Sequence, residues 1–194
     1  MIKLPIKIIN VEFFDKGKRS LVYTGNYKNK KVIIKVKNPK SQAIARISNE
    51  AKYLKKLNKF KVGPKLICFK KEFLVYEFIE GELYIDLIKT KQKISLTLQI
   101  LDKCRTLDKL KINKLEFIRP IKHFFVKNNK VKMIDFERCY QTENPKNVTQ
   151  FCNFLLSNKN FKINKKELIK LSKEYKNKQT DKNFKEIKNL IKLS

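Results

Sequence analysis

The stretch Val131-Lys-Met-Ile-Asp-Phe-Glu137 decides how the rest of the chain is interpreted. It opens with an apolar, strand-like run. A lone aspartate, Asp135, follows that run, and an aromatic residue, Phe136, comes next. Asp135 is therefore the first candidate site residue, and the segments upstream of it indicate what kind of site it belongs to.

Length and composition limit the class of protein. The 194 residues suffice for one domain or two closely packed lobes, and a hydrophobic content of 42% is enough for a core. No apolar run approaches the roughly 20 residues that a membrane span needs. The N-terminal residues lack a long apolar region and a small-residue cleavage site, so no signal peptide is expected.

The cysteines indicate a reducing compartment. Cys68, Cys104, Cys139 and Cys152 stand far apart and show no C-x-x-C spacing. This distribution disfavours a structural zinc site and a disulfide framework. We therefore expect a cytoplasmic protein.

The charge of the chain is extreme. It carries 47 basic against 18 acidic residues, a net charge of +29, and only five of the basic residues are arginine. Lysine-rich proteins often bind nucleic acid through its phosphates, so contact with RNA or a ribonucleoprotein is one interpretation. The lysines are spread over every segment, however, and Ile and Asn are also abundant. A general compositional bias explains the charge equally well.

The first third of the chain is predicted to be β-rich. Apolar and β-branched runs favour five strands: Ile6–Phe14, Leu21–Thr24, Lys31–Val36, Leu66–Phe69 and Phe73–Phe78. Polar turns are predicted at Asp15–Ser20 and Gly25–Lys30. A helix is predicted over Ser41–Leu57, because the apolar residues Ala43, Ile47, Ala51 and Leu54 recur on one helical face.

The remainder is predicted to be mainly helical. Helical spacing of apolar residues occurs in Leu83–Ile88, Leu96–Leu110, Val148–Leu156 and Lys165–Leu193. One hairpin is predicted, in which Phe124–Val126 pairs with Val131–Ile134 around the turn residues Asn128 and Asn129.

This order of elements, together with Ile-Asp-Phe, resembles a protein kinase. In that family an Asp-Phe-Gly triplet supplies the aspartate that holds the Mg²⁺ of ATP, which is the role implied for Asp135. Val32-Ile-Ile-Lys35 resembles the Val-Ala-Ile-Lys of the third kinase strand. Glu50, in the predicted helix, resembles the glutamate that orients this lysine, although a solvated helix charge beside another lysine fits it as well.

Two further segments resemble the kinase nucleotide site. Phe14-Asp-Lys-Gly-Lys-Arg-Ser-Leu-Val-Tyr23 is similar to a degenerate glycine-rich loop, in which Gly17 and Ser20, with Lys18 and Arg19, would contact phosphates; an ordinary hairpin turn is the alternative. Phe73–Glu82 resembles the fifth strand and the hinge. The resemblance implies that Tyr76 is the gatekeeper and that the backbone of Glu77, Phe78 and Ile79 contacts adenine.

The catalytic loop departs from the common pattern. No His-Arg-Asp is present, and Leu115-Glu-Phe-Ile-Arg-Pro-Ile-Lys-His-Phe-Phe-Val126 stands in its place. The usual spacing puts Ile118 at the catalytic aspartate, where it can do no acid–base chemistry. This loop and Asp-Phe-Glu137 resemble the small archaeal predicted serine/threonine protein kinases, which are distant relatives of the Rio and KEOPS-complex kinases.

That resemblance implies roles for two more residues. Glu116 takes the catalytic role, and His123 falls at the position of the second metal ligand, although a structural role or a phosphate contact fits this histidine equally. Arg119 and Lys122 are candidates for phosphate contacts. The likeness covers roughly residues 14–154.

The expected protein is thus an α+β, two-lobed, protein-kinase-like fold. Residues 1–79 would form an N-lobe with a five-stranded antiparallel sheet and one helix, and residues 80–194 a reduced, mainly helical C-lobe. The expected function is an ATP- and Mg²⁺-dependent serine/threonine protein kinase or ATPase. A catalytically weak pseudokinase, a nucleotide-binding scaffold associated with RNA, is the alternative. No membrane partner is expected.

Overall fold

The computed structural model describes residues 6–43, 45–118 and 122–193, with the side chains of Glu116 and Ile118 outside that description. The chain divides into two compact units. The first unit comprises Met1–Ile79 and Ile134–Arg138, and the second unit comprises Glu80–Met133 and Cys139–Ser194. The second unit therefore supplies both flanks of the segment that contains Asp135.

The first unit is built on a five-stranded antiparallel sheet, which confirms the predicted α+β class and the predicted sheet. The strands follow the order β1-β2-β3-β5-β4 across it. Their bounds are β1 Ile9–Lys16, β2 Ser20–Tyr27, β3 Lys30–Lys37, β4 Leu66–Lys70 and β5 Phe73–Glu77. One helix, α1 (Arg46–Asn58), lies against β3, β4 and β5.

The turn predicted at Gly25–Lys30 is shorter than expected. Gly25 lies inside β2 and pairs with Val32, and only Lys28 and Asn29, both at positive φ, connect β2 to β3. A two-residue turn with positive φ matches the twist of the paired strands. Gly25 has a packing role instead, because a Cβ there would lie 2.6 Å from the side chain of Ile8.

The predicted helix over Ser41–Leu57 begins later than expected, at Arg46. Ala45 adopts a left-handed conformation with φ of 56°, which a continuing right-handed helix cannot include. Ala43 therefore lies outside the helix. Ile47, Ala51 and Leu54 are buried as the pattern predicted.

The two faces of the sheet differ in chemistry. Val32, Ile34 and Val36 of β3 join Phe73 and Val75 of β5 in an apolar cluster on one face. Strand alternation sends the intervening Lys35 to the opposite face, the side of α1. The same strand thus supplies a core on one side and a buried ammonium group on the other.

The second unit is mainly helical. Its helices are α2 Tyr84–Leu87, α3 Lys93–Lys109, α4 Asn147–Ser157, α5 Lys165–Asn177 and α6 Asp181–Lys192, with a 3₁₀ turn at Leu115–Ile118. Its short strands are β6 Glu82–Leu83, β7 Ile112–Lys114, β8 Phe124–Lys127, β9 Lys130–Met133 and β10 Cys139–Gln141. β8 and β9 form the predicted hairpin, and both Asn128 and Asn129 have positive φ.

The helix predicted over Lys165–Leu193 is two helices rather than one. α5 ends at Asn177, and Thr180 begins α6 by accepting a hydrogen bond from the backbone N–H of Asn183. A threonine at this position satisfies an amide that the first turn leaves without an intrahelical partner. None of the described helices is long and apolar enough to cross a membrane.

A buried polar group, here named the Asp108 cluster, holds the second unit together. It contains Arg105, Asp108, Asn147 and Tyr175. The Asp108 carboxylate accepts bonds from the backbone and side-chain nitrogens of Asn147, the backbone N–H of Val148 and the Tyr175 hydroxyl. Asp108 therefore joins the end of α3 to the start of α4 and to α5.

Burial raises the pKa of Asp108, and its hydrogen bonds with Asn147, Val148 and Tyr175 act in the opposite direction. Arg105 donates to the Tyr175 hydroxyl at 2.8 Å and to the carbonyl of Gln179. The Asp108 carboxylate, the Asn147 amide nitrogen and the Tyr175 hydroxyl thus have partners supplied by the fold, whereas Arg105 Nε is buried without a hydrogen bond.

Candidate functional site

Lys35 and Glu50 form a buried ion pair in the first unit. Lys35 Nζ donates to Glu50 Oε2 at 2.7 Å, across 15 residues of sequence. The Glu50 side chain is only 2% exposed. β3 supplies the lysine and α1 the glutamate, so sheet and helix together hold the ammonium group in one position.

Asp135 joins this pair. Its Oδ1 lies 3.5 Å from Lys35 Nζ, and its side chain is 30% exposed, so one side of the carboxylate faces solvent. The residue has a φ of 64°, in the left-handed region that aspartate tolerates better than most residues. Uncommon backbone conformations of this kind concentrate at functional sites.

The segment Ile134–Arg138 is anchored within the first unit by packing and by backbone bonds. Phe136 is fully buried, and a Cβ on Gly63 would lie 2.8 Å from its ring, so this glycine permits the close approach. The carbonyl of Glu137 accepts from Asn49 Nδ2 at 3.0 Å and from Arg46 Nη1 at 3.4 Å. α1 therefore fixes the backbone that carries Asp135.

Glu137 is a member of the site that the sequence reasoning missed. Its Oε1 accepts from Arg19 Nη1 at 2.8 Å, and its Oε2 lies 3.8 Å from Lys35 Nζ. In the sequence it was interpreted only as a replacement for the glycine of a kinase triplet. The available signal was a carboxylate two residues after Asp135 in a chain where acidic residues are scarce.

Three carboxylates thus surround one ammonium group. Burial disfavours the charge on Lys35, but Glu50 and then Asp135 outweigh it, so the pKa of Lys35 is raised well above its usual value. Burial also raises the pKa of Glu50; Lys35 lowers it, while Asp135 and Glu137 raise it further. We name Lys35, Glu50, Asp135 and Glu137 the Lys35 cluster. It contains three acidic groups and one basic group.

The Lys35 cluster has ligand atoms suited to a hard cation. One carboxylate oxygen from each of Glu50, Asp135 and Glu137 lies within 4.8 Å of the others. Mg²⁺ takes oxygen ligands and is commonly held by one or two carboxylates plus phosphates. Lys35 engages Glu50 most closely, so Asp135, with its exposed side, is the ligand that fits best.

The β1–β2 loop, which contains the predicted phosphate-contacting residues, is a tight turn. The Gly17 N–H donates to the Ser20 carbonyl at 2.8 Å. Asn38 holds this turn, because its side chain lies 3.4 Å from the carbonyl of Gly17 and its N–H donates to the carbonyl of Arg19. Ser20 is buried at the start of β2, whereas Arg19 extends toward Glu137.

The predicted adenine-binding residues lie at the end of β5. The N–H groups of Glu77 and Phe78 donate to the carbonyls of Lys65 and Lys31. Of the three predicted contacts, the Ile79 amide is therefore the donor best suited to a base. The Phe78 ring also meets the ring of Phe14 edge-on, with centroids 5.9 Å apart.

Tyr76, the predicted gatekeeper, lies close to the Lys35 cluster. Burial raises the pKa of its hydroxyl, and the negative charges of Glu50 and Asp135 add to this effect. The phenol therefore stays neutral and can act as a hydrogen-bond donor beside the carboxylates.

The remaining predicted residues belong to the second unit. His123 is partly buried just before β8. Glu116 lies in the 3₁₀ turn, and its side chain is outside the described part of the chain, as is all of Arg119. Lys122 is exposed. The structure thus brings together Lys35, Glu50 and Asp135 but describes Glu116 and His123 only within their own unit.

Comparison with known proteins identifies no family. No protein-family model matches the chain, and no curated protein matches it. The interpretation of the site therefore depends on its residues and their geometry.

Proposed function

We propose that this protein is an ATP- and Mg²⁺-dependent phosphotransferase of the protein-kinase-like superfamily, with a serine or threonine hydroxyl of a protein as acceptor. The observation that carries the proposal is the buried Lys35–Glu50 pair with Asp135 at 3.5 Å. Phosphoryl transfer depends mainly on positioning and on neutralising charge, so few side chains are needed.

Each residue of the Lys35 cluster has a role in this proposal. Lys35 binds the phosphates of ATP, and Glu50 holds its ammonium group so that little freedom is lost on binding. Asp135 would hold Mg²⁺, and this ion would supply charge neutralisation for the phosphates. The Ile79 amide and the rings of Phe14 and Phe78 bind the base.

The arrangement of elements supports the kinase-like part of the proposal. A five-stranded sheet with one helix forms the first unit, and the second unit is mainly helical. In this interpretation the first unit corresponds to the nucleotide-binding lobe of a two-lobed kinase. The second unit corresponds to a reduced lobe that supplies the catalytic loop.

The acceptor step requires one group from that loop. Glu116 accepts the proton of the attacking hydroxyl while the new bond to the γ-phosphorus forms. The bond from this phosphorus to the bridging oxygen breaks, and ADP leaves. The assignment of Glu116 depends on the sequence resemblance.

Nucleotide binding is tested by thermal shift with ATP and Mg²⁺, comparing wild type with Asp135→Asn. We expect a metal-dependent shift that the variant loses. Lys37→Ala is the matched control, because Lys37 ends the same strand with an exposed side chain. An equal shift in wild type and Asp135→Asn would overturn the assignment of the site.

Turnover is tested by phosphate transfer and ATP hydrolysis in Lys35→Ala and Asp135→Asn. Both variants should lose turnover, and wild-type rates in both would contradict an enzymatic role.

A nucleotide-binding scaffold is the second candidate, because Ile118 stands at the usual position of the catalytic aspartate and cannot take part in proton transfer. Mg²⁺-dependent binding of ATP without transfer to proteins, small hydroxyl compounds or water would favour it. Glu116→Gln separates the two functions, since only an enzyme loses a rate through this change.

Contact with RNA or a ribonucleoprotein is a further candidate, which the surface of α5 and α6 supports. Exposed lysines follow this surface: Lys162, Lys165, Lys166, Lys170, Lys173, Lys176, Lys178, Lys182, Lys185 and Lys192. Binding to RNA that persists as salt is raised would indicate a specific site, whereas a steep loss would indicate general electrostatic attraction.

A further inference from the structure

We propose that Arg19 is a phosphate-binding residue whose guanidinium exchanges Glu137 for the terminal phosphates of a bound nucleoside triphosphate. The inference rests on the proposed function, in which the resemblance already implies a phosphate contact for Arg19, and it adds the exchange with Glu137 as a regulation of affinity at the same site. Its starting observation is the 2.8 Å bond between Arg19 Nη1 and Glu137 Oε1, which joins residues 118 apart in sequence.

The backbone around Arg19 is fixed, so the exchange needs only a side-chain rotation. Asn38 contacts the carbonyls of Gly17 and Lys18 through its side chain and that of Arg19 through its N–H. The Gly17 N–H closes the turn on Ser20. A long side chain on a fixed loop can change partner without opening the loop.

The two partners differ in how deeply they are buried. The Arg19 side chain is 30% exposed, whereas that of Glu137 is 9% exposed. The bond occupies one guanidinium nitrogen, and a guanidinium can bind phosphate through two parallel N–H groups. The arginine can therefore reach outward, while the glutamate stays in place, held through its carbonyl by Asn49 and Arg46.

The position of Glu137 indicates which phosphates Arg19 would reach. Oxygens of Glu137 and Asp135 lie within 4.8 Å of each other. In the proposed function Asp135 would hold Mg²⁺, whose chemistry in kinases is to neutralise charge on the terminal phosphates. A guanidinium beside that carboxylate is therefore directed at the terminal phosphates.

Release of Arg19 leaves a buried carboxylate that needs another cation. An unpaired buried charge is strongly unfavourable. Lys35 Nζ lies 3.8 Å from Glu137 Oε2, but it already forms ion pairs with Glu50 and Asp135. A divalent cation entering with the nucleotide restores the balance. The Arg19–Glu137 bond therefore lowers the affinity for nucleotide without metal, and it is exchanged when nucleotide binds together with Mg²⁺.

The test measures affinity by calorimetry, with Mg²⁺ and either ADP or the non-hydrolysable β,γ-imido analogue of ATP as probe. Arg19→Met should weaken binding of the analogue about tenfold and that of ADP little, as expected for loss of one charge-assisted contact. Measured without Mg²⁺, Glu137→Gln should tighten binding of the analogue about fivefold, because the competing carboxylate is lost and no cation is needed to balance it. The double variant should bind like Arg19→Met.

Arg46→Met is the matched control, since it removes another arginine contact to Glu137 from the helix side. It should leave the ratio of affinities for analogue and ADP unchanged. Melting of each variant without nucleotide checks that it folds. If Arg19→Met does not fold, Arg19→Gln replaces it, alone and with Glu137→Gln, because an exchange predicts that Glu137→Gln tightens binding only when Arg19 is present.

Opposite results separate the two proposals. Weaker binding of the analogue by Glu137→Gln in the absence of Mg²⁺ would show that the pair is a fixed clamp. Wild-type affinity in Arg19→Met, with binding lost in Lys35→Met, would overturn the role of Arg19 and leave the proposed function intact. No Mg²⁺-dependent binding by the wild type would overturn both.

Discussion

The Lys35 cluster of the first unit and the Asp108 cluster of the second unit are both buried groups of charged residues, yet they are built in opposite ways. Asp108 is one carboxylate that hydrogen-bond donors surround, two of them backbone amides at the start of α4. Lys35 is one ammonium group that three carboxylates surround. The Asp108 carboxylate accepts hydrogen bonds from the first amides of α4, whereas the Lys35 cluster places three like charges close together.

This difference distinguishes a buried charge that stabilises the fold from a group of buried charges that is suited to binding a ligand. Donors supplied by the fold satisfy Asp108 whether or not a ligand is present, so the cluster stabilises one conformation. The three carboxylates of the Lys35 cluster have two cations as partners, Lys35 within the cluster and Arg19 beside it. We expect this excess of negative charge to weaken the folded state and to favour a bound cation, the pattern of a site in which function lowers stability.

The same chemical change, aspartate to asparagine, should have opposite effects on stability in the two clusters. In the Lys35 cluster, Asp135→Asn removes one like charge, so the free energy of unfolding should stay constant or rise by about 1 kcal/mol. Turnover should nevertheless fall at least about a thousandfold, since the proposed metal ligand is lost. Urea unfolding and a phosphate-transfer assay measure the two effects, and a large loss of stability would contradict the comparison.

Asp108→Asn should instead destabilise the protein by about 3 kcal/mol, because an amide nitrogen would face buried donors. Urea unfolding followed by circular dichroism measures this change. Asp102→Asn is the control: Asp102 pairs with Lys188 at the surface, and such pairs contribute about 0–1 kcal/mol. Similar losses in both variants would mean that the Asp108 cluster has no special structural role.

Gly63→Ala tests whether packing positions the Lys35 cluster. The added methyl group would lie 2.7 Å from Leu54 and 2.8 Å from Phe136. We expect a loss of about 2 kcal/mol, typical of overpacking, together with weaker binding of ATP and Mg²⁺. Gly17→Ala is the comparison for stability alone, since its methyl group would meet atoms no closer than 3.3 Å. Unchanged nucleotide affinity in Gly63→Ala would show that the position of Phe136 does not matter for the site.

The Lys35 cluster should also bind Mg²⁺ in a pH-dependent way. Burial raises the pKa of Glu50, so protons compete with metal for the cluster up to a higher pH than at an exposed glutamate. Affinity for Mg²⁺ should therefore increase as the pH rises through that pKa and become constant above it, with a slope of at most about tenfold per pH unit for one proton. Calorimetry at several pH values measures the slope, which Glu50→Gln should reduce. A constant affinity would argue against linkage between proton and metal.

Local sequence patterns were sufficient for the larger elements. The alternation in β3 and the helical spacing of Ile47, Ala51 and Leu54 predicted a sheet and a helix that the structure confirms. The kinase resemblance selected Lys35, Glu50 and Asp135, and the structure places these three together. What these side chains do stays a prediction.

Other features had no local signal or only a weak one. β7 and β10 have three residues each and pair across a long stretch of chain, so periodicity could not identify them. The Arg19–Glu137 bond depends on the folding of the whole first unit. By contrast, Thr180 and Asp181 form a typical helix start that could have divided the long C-terminal helix in advance.

The segment Ile134–Arg138 has a consequence for how the protein is made. A ribosome completes the sheet and α1 long before it adds Phe136, whose ring lies close to Gly63. The core of the first unit therefore lacks the Phe136 ring until more than half of the chain has been synthesised. A fragment ending at Ile79 would never contain Phe136. We therefore expect truncation at this boundary to leave the first unit with an incomplete core.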